Sequence, residues 1–167
     1  NSYGACLQAY ATVSTLRDMG YEAELINYEN YYEQRVFKDR SKPLLSKLYI
    51  RVNWFARMFL FGGWKSPKVQ KRELDNIYGG VTEIYHSVRE MNGLQYDVLL
   101  VGSDQVWNPE ISGYLDPVYL LEFGSAKRRI SYASSMGSYT LTANEAKHFS
   151  EALSNYFAIS VRETFAK

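Results

Sequence analysis

The 167-residue chain is short of several things, and each shortage narrows what it can be. It carries one cysteine, Cys6, so no disulfide can form within it. A reducing compartment fits that usage, and a thiol in the apolar run Ala5-Cys6-Leu7 reads as buried and inert. Only two histidines are present, His86 and His148. Both fall in predicted helices without a metal-ligand neighbour at useful spacing, so no metal site is expected. Long apolar runs are missing: Met58 to Phe61 with its flanks is too short and too charged to span a bilayer. No secretory leader is visible, and neither a Walker A sequence nor a complete G-x-G-x-x-G fingerprint occurs. Acids are almost missing from residues 35–72, which hold eleven of the 19 Lys and Arg against Asp39 alone. Two readings of that stripe stay open: a surface for an anionic partner, or a solvated helical face balanced by acids elsewhere. An initiator Met is missing too. The sequence enters a helical pattern at once and stops just after a predicted strand, which reads as a piece of a longer protein.

What is present is ordinary for a folded domain: 46% hydrophobic and 22% charged residues in a length that suits one domain. The 15 tyrosines are unusual, and side chains with an apolar body and a polar tip suit a core, an interface or a sugar cleft. Apolar spacing predicts a helix over 5–19 stopped by Gly20, then a strand over Tyr21 to Asn27. Residues 30–92 read as a basic, mostly helical insertion punctuated by Pro43, Gly62-Gly63 and Pro67. Within it a helix is expected over about 71–91 from Leu74, Ile77, Val81, Ile84, Tyr85 and Val88, weakened at Gly79-Gly80. The continuous apolar run Tyr96 to Val101, closed by Gly102, has the pattern of a buried parallel strand. Ile130 to Ala133 and Ala158 to Val161 read as further strands, and Thr142-x-x-Glu145 as the capping box of a helix ending near Asn155. The order implies an α/β fold: a Rossmann-like parallel sheet flanked by helices.

Ligands of such sheets collect beyond the C-terminal strand ends, and three segments meet that condition. Asn1, Tyr3 and Gly4 lead into the first helix, where a glycine allows close backbone approach and the helix start favours an anion. Gln8 lies one turn on. Gly102, Ser103, Asp104, Gln105, Trp107 and Asn108 follow the strongest strand. A carboxylate and amides there suit sugar hydroxyls, Asp104 can act as a base or position a hydroxyl, and Trp107 either walls a sugar pocket or plugs the core. Ser134, Ser135 and Gly137 follow the next strand and leave room for a ligand or for a neighbouring backbone. Arg162 and Glu163, past the last strand, form an ion pair or bind an anion.

Together these segments resemble one family. Asn1 to Ala11 (NSYGACLQAYA) is similar to the N-Y-G-A-x-L-Q-A-Y-A opening of the polysaccharide pyruvyl transferases. Gly102 to Asn108 resembles their G-S-D-Q-V-W-N signature. Arg129 to Gly137 (RISYASSMG) and Ile159 to Glu163 (ISVRE) resemble two later segments, all in family order. Ser2, Ser134 and Met136 depart mildly from the pattern.

The resemblance implies that residues 1–167 are one Rossmann-like N-terminal half of a glycosyltransferase-B-like two-domain enzyme. It implies transfer of a pyruvyl group from phosphoenolpyruvate to hydroxyls of a glycan or lipid-linked sugar acceptor. No cofactor beyond that donor and no nucleic acid are expected. The family's catalytic His and donor-binding Arg residues are expected in a C-terminal half absent here, so this piece alone should be inactive. A cytoplasmic location is expected, with peripheral contact at the inner membrane face left open. Leu48, Val52, Phe55 and Phe59 share a helical face that either meets anionic lipid or packs on the sheet. Two rival readings fit the same residues: a nucleotide-sugar-dependent glycosyltransferase and a non-catalytic carbohydrate-binding module.

Overall fold

The structure, a computed structural model, describes residues 3–30 and 80–163, with side chains from Leu7 onward. Asn1, the side chains of Tyr3 and Cys6, the basic stretch 35–72 and the helical face of Leu48 to Phe59 lie outside the described residues, while Gly4 falls in the first turn of α1. In chain order the elements are α1 (Tyr3–Asp18), β1 (Leu25–Tyr28), β2 (Val81–Tyr85), α2 (Val88–Met91), β3 (Gln95–Gly102), α3 (Pro109–Ser112), β4 (Ser125–Ser134), α4 (Ala143–Leu153) and β5 (Ala158–Val161).

Every described strand pairing is parallel, as expected, but burial is one-sided instead of continuous: β3 buries Leu99 and Val101 while Val98 is exposed, and β5 is largely exposed. The described strands divide into two sheets rather than the single one expected: β1 with β2, and β3–β4–β5 with β4 in the middle. Sequence patterns mark strands but do not say which strand pairs with which. β2 also departs from the expected pattern. Residues 81–85 pair in parallel with β1, where a helix was expected. The apolar positions Val81, Ile84 and Tyr85 fit a helical spacing and a short strand equally well, an ambiguity that periodicity alone does not resolve in so short a run. Two glycines just before it and β-branched Val81, Thr82 and Ile84 favour the extended form. His86 accordingly follows a strand instead of lying within a helix.

Other local signals act as expected. Gly20, at φ +89°, ends α1: its N–H reaches Arg17 O at 2.8 Å and the Tyr21 N–H reaches Leu16 O at 3.1 Å. Those are the paired bonds that satisfy the last carbonyls when a glycine takes the left-handed turn. At α4 the capping box is complete: Thr142 Oγ1 accepts the Glu145 N–H and Glu145 Oε2 accepts the Thr142 N–H at 2.8 Å. That N–H is also the main reason the Glu145 carboxyl is held below its ordinary range.

The core sits on one face of the three-stranded sheet. Alternation along β3 turns Leu99 and Val101 inward, against Met91, Trp107 and Ala152. The rest of the cluster comes from the segment between α3 and β4, which supplies Leu115, Val118, Leu120, Leu121 and Phe123. This connection is therefore a structural layer rather than a surface loop. It is fastened by Asp116, 1% exposed. One carboxylate oxygen, Oδ2, accepts the Tyr28 hydroxyl at 2.8 Å and the Asn30 amide at 2.7 Å; the other accepts the Val118 N–H at 2.9 Å. The cluster thus ties the end of β1 to the core segment. Burial outweighs these bonds and raises the Asp116 pKa, and the same burial, with Asp116 beside it, raises that of Tyr28.

Two expectations follow for Asp116. Asp116→Ala should lower stability of the full-length protein by about 3 kcal/mol in urea denaturation, because buried donors lose their acceptor. A raised folded pKa means that the folded state holds the proton more tightly. The stability Asp116 contributes is thus fullest below the ordinary Asp range and falls as pH rises through the raised value. Wild type should therefore lose stability relative to Asp116→Asn as pH is taken upward from about 4; a gap that widens in wild type's favour would contradict the assignment.

Candidate functional site

The three strands β3, β4 and β5 run in parallel, so the segments leaving their C-terminal ends emerge side by side. At the first end, Gly102 has φ +126°, and a Cβ there would lie 2.0 Å from Tyr132 O and 2.9 Å from Ser134 Oγ. Only glycine lets the two strand ends approach this closely. At the second end, β4 carries an irregularity between Ser131 and Ser134 where it pairs with β5, and Ala133 takes φ +48°. A local kink of this kind re-aims the residues that follow.

Ser135 is the meeting point. It is fully buried, and each of its polar groups is used. Its N–H donates to Asp104 O at 3.0 Å and its carbonyl accepts the Trp107 N–H at 3.1 Å, which clasps the loop after β3. Its hydroxyl donates to Glu163 Oε1 at 2.7 Å and accepts the Gly137 N–H at 2.9 Å. The Arg162 N–H donates to Ser134 O at 3.2 Å, drawing in the end of β5. Gly137, at φ +61°, lies against Gln105, with a Cβ there only 2.5 Å from Gln105 Oε1. That oxygen accepts the Asn108 amide at 3.1 Å. The structure therefore brings together the segments at the ends of β3, β4 and β5.

The residues divide sharply by exposure. Asp104 and Arg162 are exposed, and Ser103, Gln105 and Gly137 are half-buried. Asp104 Oδ1 accepts the Gln105 N–H at 2.7 Å, which fixes the carboxylate and leaves Oδ2 uncommitted among the described residues. Asn108, Ser134 and Ser135 are buried supports instead of ligand-facing groups. Asn108 Oδ1 caps α3 by accepting the Glu110 N–H at 3.0 Å, and the Ser134 hydroxyl donates to Val101 O at 3.2 Å. Of the two roles open to Trp107, the structure takes the core. The indole is 1% exposed, stands edge-on to Phe149 at 5.1 Å between ring centroids, and donates Nε1–H to Tyr119 O at 3.1 Å. A ring so enclosed offers no face to a sugar. Gln8 is exposed on α1, and among the described residues no hydrogen bond joins it to this cluster.

Glu163, which the sequence offers with Arg162 as an ion pair or an anion contact, is central. Its Oε1 accepts both the Ser135 hydroxyl and Arg162 Nε, the latter at 2.9 Å. The two donors, Ser135 first, hold its carboxyl below the usual range. The sequence signals for this role are its place just past a strand beside Arg162 and its place in the ISVRE segment; the contact with Ser135 has none. Among the described residues no group of three or more His, Cys, Asp or Glu side chains could hold a metal. No described helix is long and apolar enough to cross a membrane. The exposed Asp104 carboxylate and Arg162 guanidinium, with the half-buried Gln105 amide, can accept from hydroxyls and bind an anion.

Polar residues gathered beyond the C-terminal strand ends of a parallel α/β fold occupy the place where ligands of such sheets bind. The polysaccharide pyruvyl transferase family model matches residues 3–167, and the chain belongs to that family. No curated protein and no solved structure matches it.

The placement of Trp107 has a direct test. Trp107→Ala should cost about 3–5 kcal/mol of stability, as for a large core aromatic, measured by denaturant unfolding. A variant as stable as wild type but defective in sugar binding would return the indole to the ligand site.

Proposed function

We propose that this chain forms part of an enzyme that moves a pyruvyl group from phosphoenolpyruvate to hydroxyls of a cell-surface glycan precursor, and that this half holds the acceptor sugar. The observation that carries the reading is the family match over 3–167 joined to the polar cluster beyond β3, β4 and β5. The chemistry needs three services. An acid gives a proton to the methylene carbon of the donor, leaving its neighbour open to attack. Cations hold the donor carboxylate and the departing phosphate. The acceptor hydroxyls are oriented so that one attacks and a second closes the ketal as phosphate leaves.

Asp104 and Gln105 supply the third service. The exposed carboxylate accepts from an acceptor hydroxyl and draws its proton as the oxygen attacks; Gln105, braced by Asn108 and Gly137, sets the neighbouring contact. The enzyme works in the cytoplasm, where a lipid-linked acceptor at the inner membrane face is within reach. The basic stretch 35–72 is suited by its charge to anionic lipid.

The test is a donor assay on the full-length protein with phosphoenolpyruvate and a mixed acceptor glycan pool, following phosphate release and the mass of the sugar. Acceptor-dependent release with a pyruvyl mass gain is expected. Asp104→Ala should then raise the acceptor KM roughly tenfold or more, the loss of one hydrogen bond to a charged group, with unchanged folding because Asp104 is exposed. Consumption of a nucleotide-sugar in place of phosphoenolpyruvate would overturn the reading in favour of a glycosyltransferase; sugar binding with no turnover of either donor would overturn it in favour of a binding module.

A further inference from the structure

The Glu163 carboxylate is gripped from two sides through one oxygen. Ser135 Oγ donates to Oε1 at 2.7 Å and Arg162 Nε donates to the same atom at 2.9 Å. Ser135 Oγ in turn accepts the Gly137 N–H at 2.9 Å, so a chain of donors runs from Gly137 through Ser135 to Glu163. The other oxygen, Oε2, is buried with no described hydrogen-bond partner. Burying acceptor capacity without a partner is costly, and a native fold retains such a group for a reason. A plain surface ion pair between adjacent residues would need neither the buried serine nor the orphaned oxygen, and would contribute little.

The grip on Oε1 bears on the arginine. A guanidinium is planar, with its N–H donors in a fixed fork. Once Nε is bound to Glu163, the orientation of the whole plane is set, and among the described residues the two terminal nitrogens have no hydrogen-bond partner. Arg162 keeps 45% of its side chain exposed, while its backbone N–H is fixed to Ser134 O at 3.2 Å. Ser135, buried and using all its hydrogen-bonding groups, keeps the carboxylate from following the arginine into solvent.

We propose that Glu163 is a positioning residue: it fixes the plane of Arg162 through Nε, braced by Ser135, so that the terminal nitrogens receive a carboxylate or phosphate group of the donor. An arginine already held in its binding geometry loses less freedom when the anion arrives. The inference rests on the transferase reading above and extends it, since it adds to this half a contact with the donor as well as with the acceptor.

The experiment uses the full-length protein and inorganic phosphate as the anion probe, with calorimetric titration for affinity and steady-state kinetics for the KM of each substrate. Glu163→Ala should weaken phosphate binding and raise the phosphoenolpyruvate KM about tenfold while the acceptor KM stays within about twofold, the pattern of a lost preorganised anion contact. Glu163→Gln, which keeps an oxygen for Arg162 and Ser135, should recover most of the loss, and Ser135→Ala should fall between. Should Glu163→Ala fail to fold, the Gln and Ser135→Ala variants carry the comparison. Phosphate affinity and donor KM unchanged in all three, a rise in the acceptor KM alone, or a wild-type protein that binds no phosphate would each overturn the proposal. Phosphate binding that depends on Glu163 in a protein that never consumes phosphoenolpyruvate would keep it and remove the pyruvyl-transfer reading instead.

Discussion

The hydrogen bonds of Ser135 are the constraint on which the site depends. A parallel sheet delivers its strand ends to one edge but does nothing to hold the departing loops together, because each loop leaves with unpaired backbone groups. Ser135 takes up an N–H and a carbonyl from the loop after β3, the Gly137 N–H from its own loop, and the Glu163 carboxylate beyond β5. A fully buried side chain with every polar group matched is a rigid joint, since breaking any one bond strands a polar atom away from water. The glycines on either side follow from this closeness. Gly102 and Gly137 sit where a Cβ would meet Tyr132 O and Gln105 Oε1 at 2.0 and 2.5 Å.

Around that joint the polar residues separate into two layers. Asn108, Ser134 and Trp107 spend their hydrogen-bonding groups on the α3 cap, on Val101 O and on Tyr119 O. They form a floor whose geometry does not depend on a ligand. Asp104, Gln105 and Arg162 stand on it with capacity left over. This is a sound arrangement for binding sugar hydroxyls and anions, because side chains placed in advance lose less freedom on binding. The buried Asp116 cluster does the same deeper in the fold, holding the 113–124 segment against the core so that Trp107 has something to pack on.

Much of this is legible in the sequence where the signal is local. Gly20 stops α1, Thr142 and Glu145 cap α4, and the apolar runs of β3 and β5 lie where their residues place them. Each depends on a few neighbouring side chains acting on their own backbone. The Gly102 to Asn108 segment also stands out as a polar cluster after a strand, but the sequence does not separate its packing members, Trp107 and Asn108, from exposed Asp104. Residues 81–85 mislead because five residues of mixed apolar spacing fit either periodicity, and the pairing with β1 that decides the matter is made across 52 intervening residues or more.

What the sequence determined by itself, then, was the α/β character, the three strand ends that carry polar residues, and membership of the pyruvyl transferase family, because these are written in local pattern and in motif. Only the tertiary structure decided that the described strands form two sheets, that Trp107 faces inward, that Asp116 is buried, and that Glu163 joins Arg162 to Ser135. Those depend on which distant segments meet. Burial and partner, not residue type, settle whether a polar or aromatic side chain supports the fold or faces a ligand.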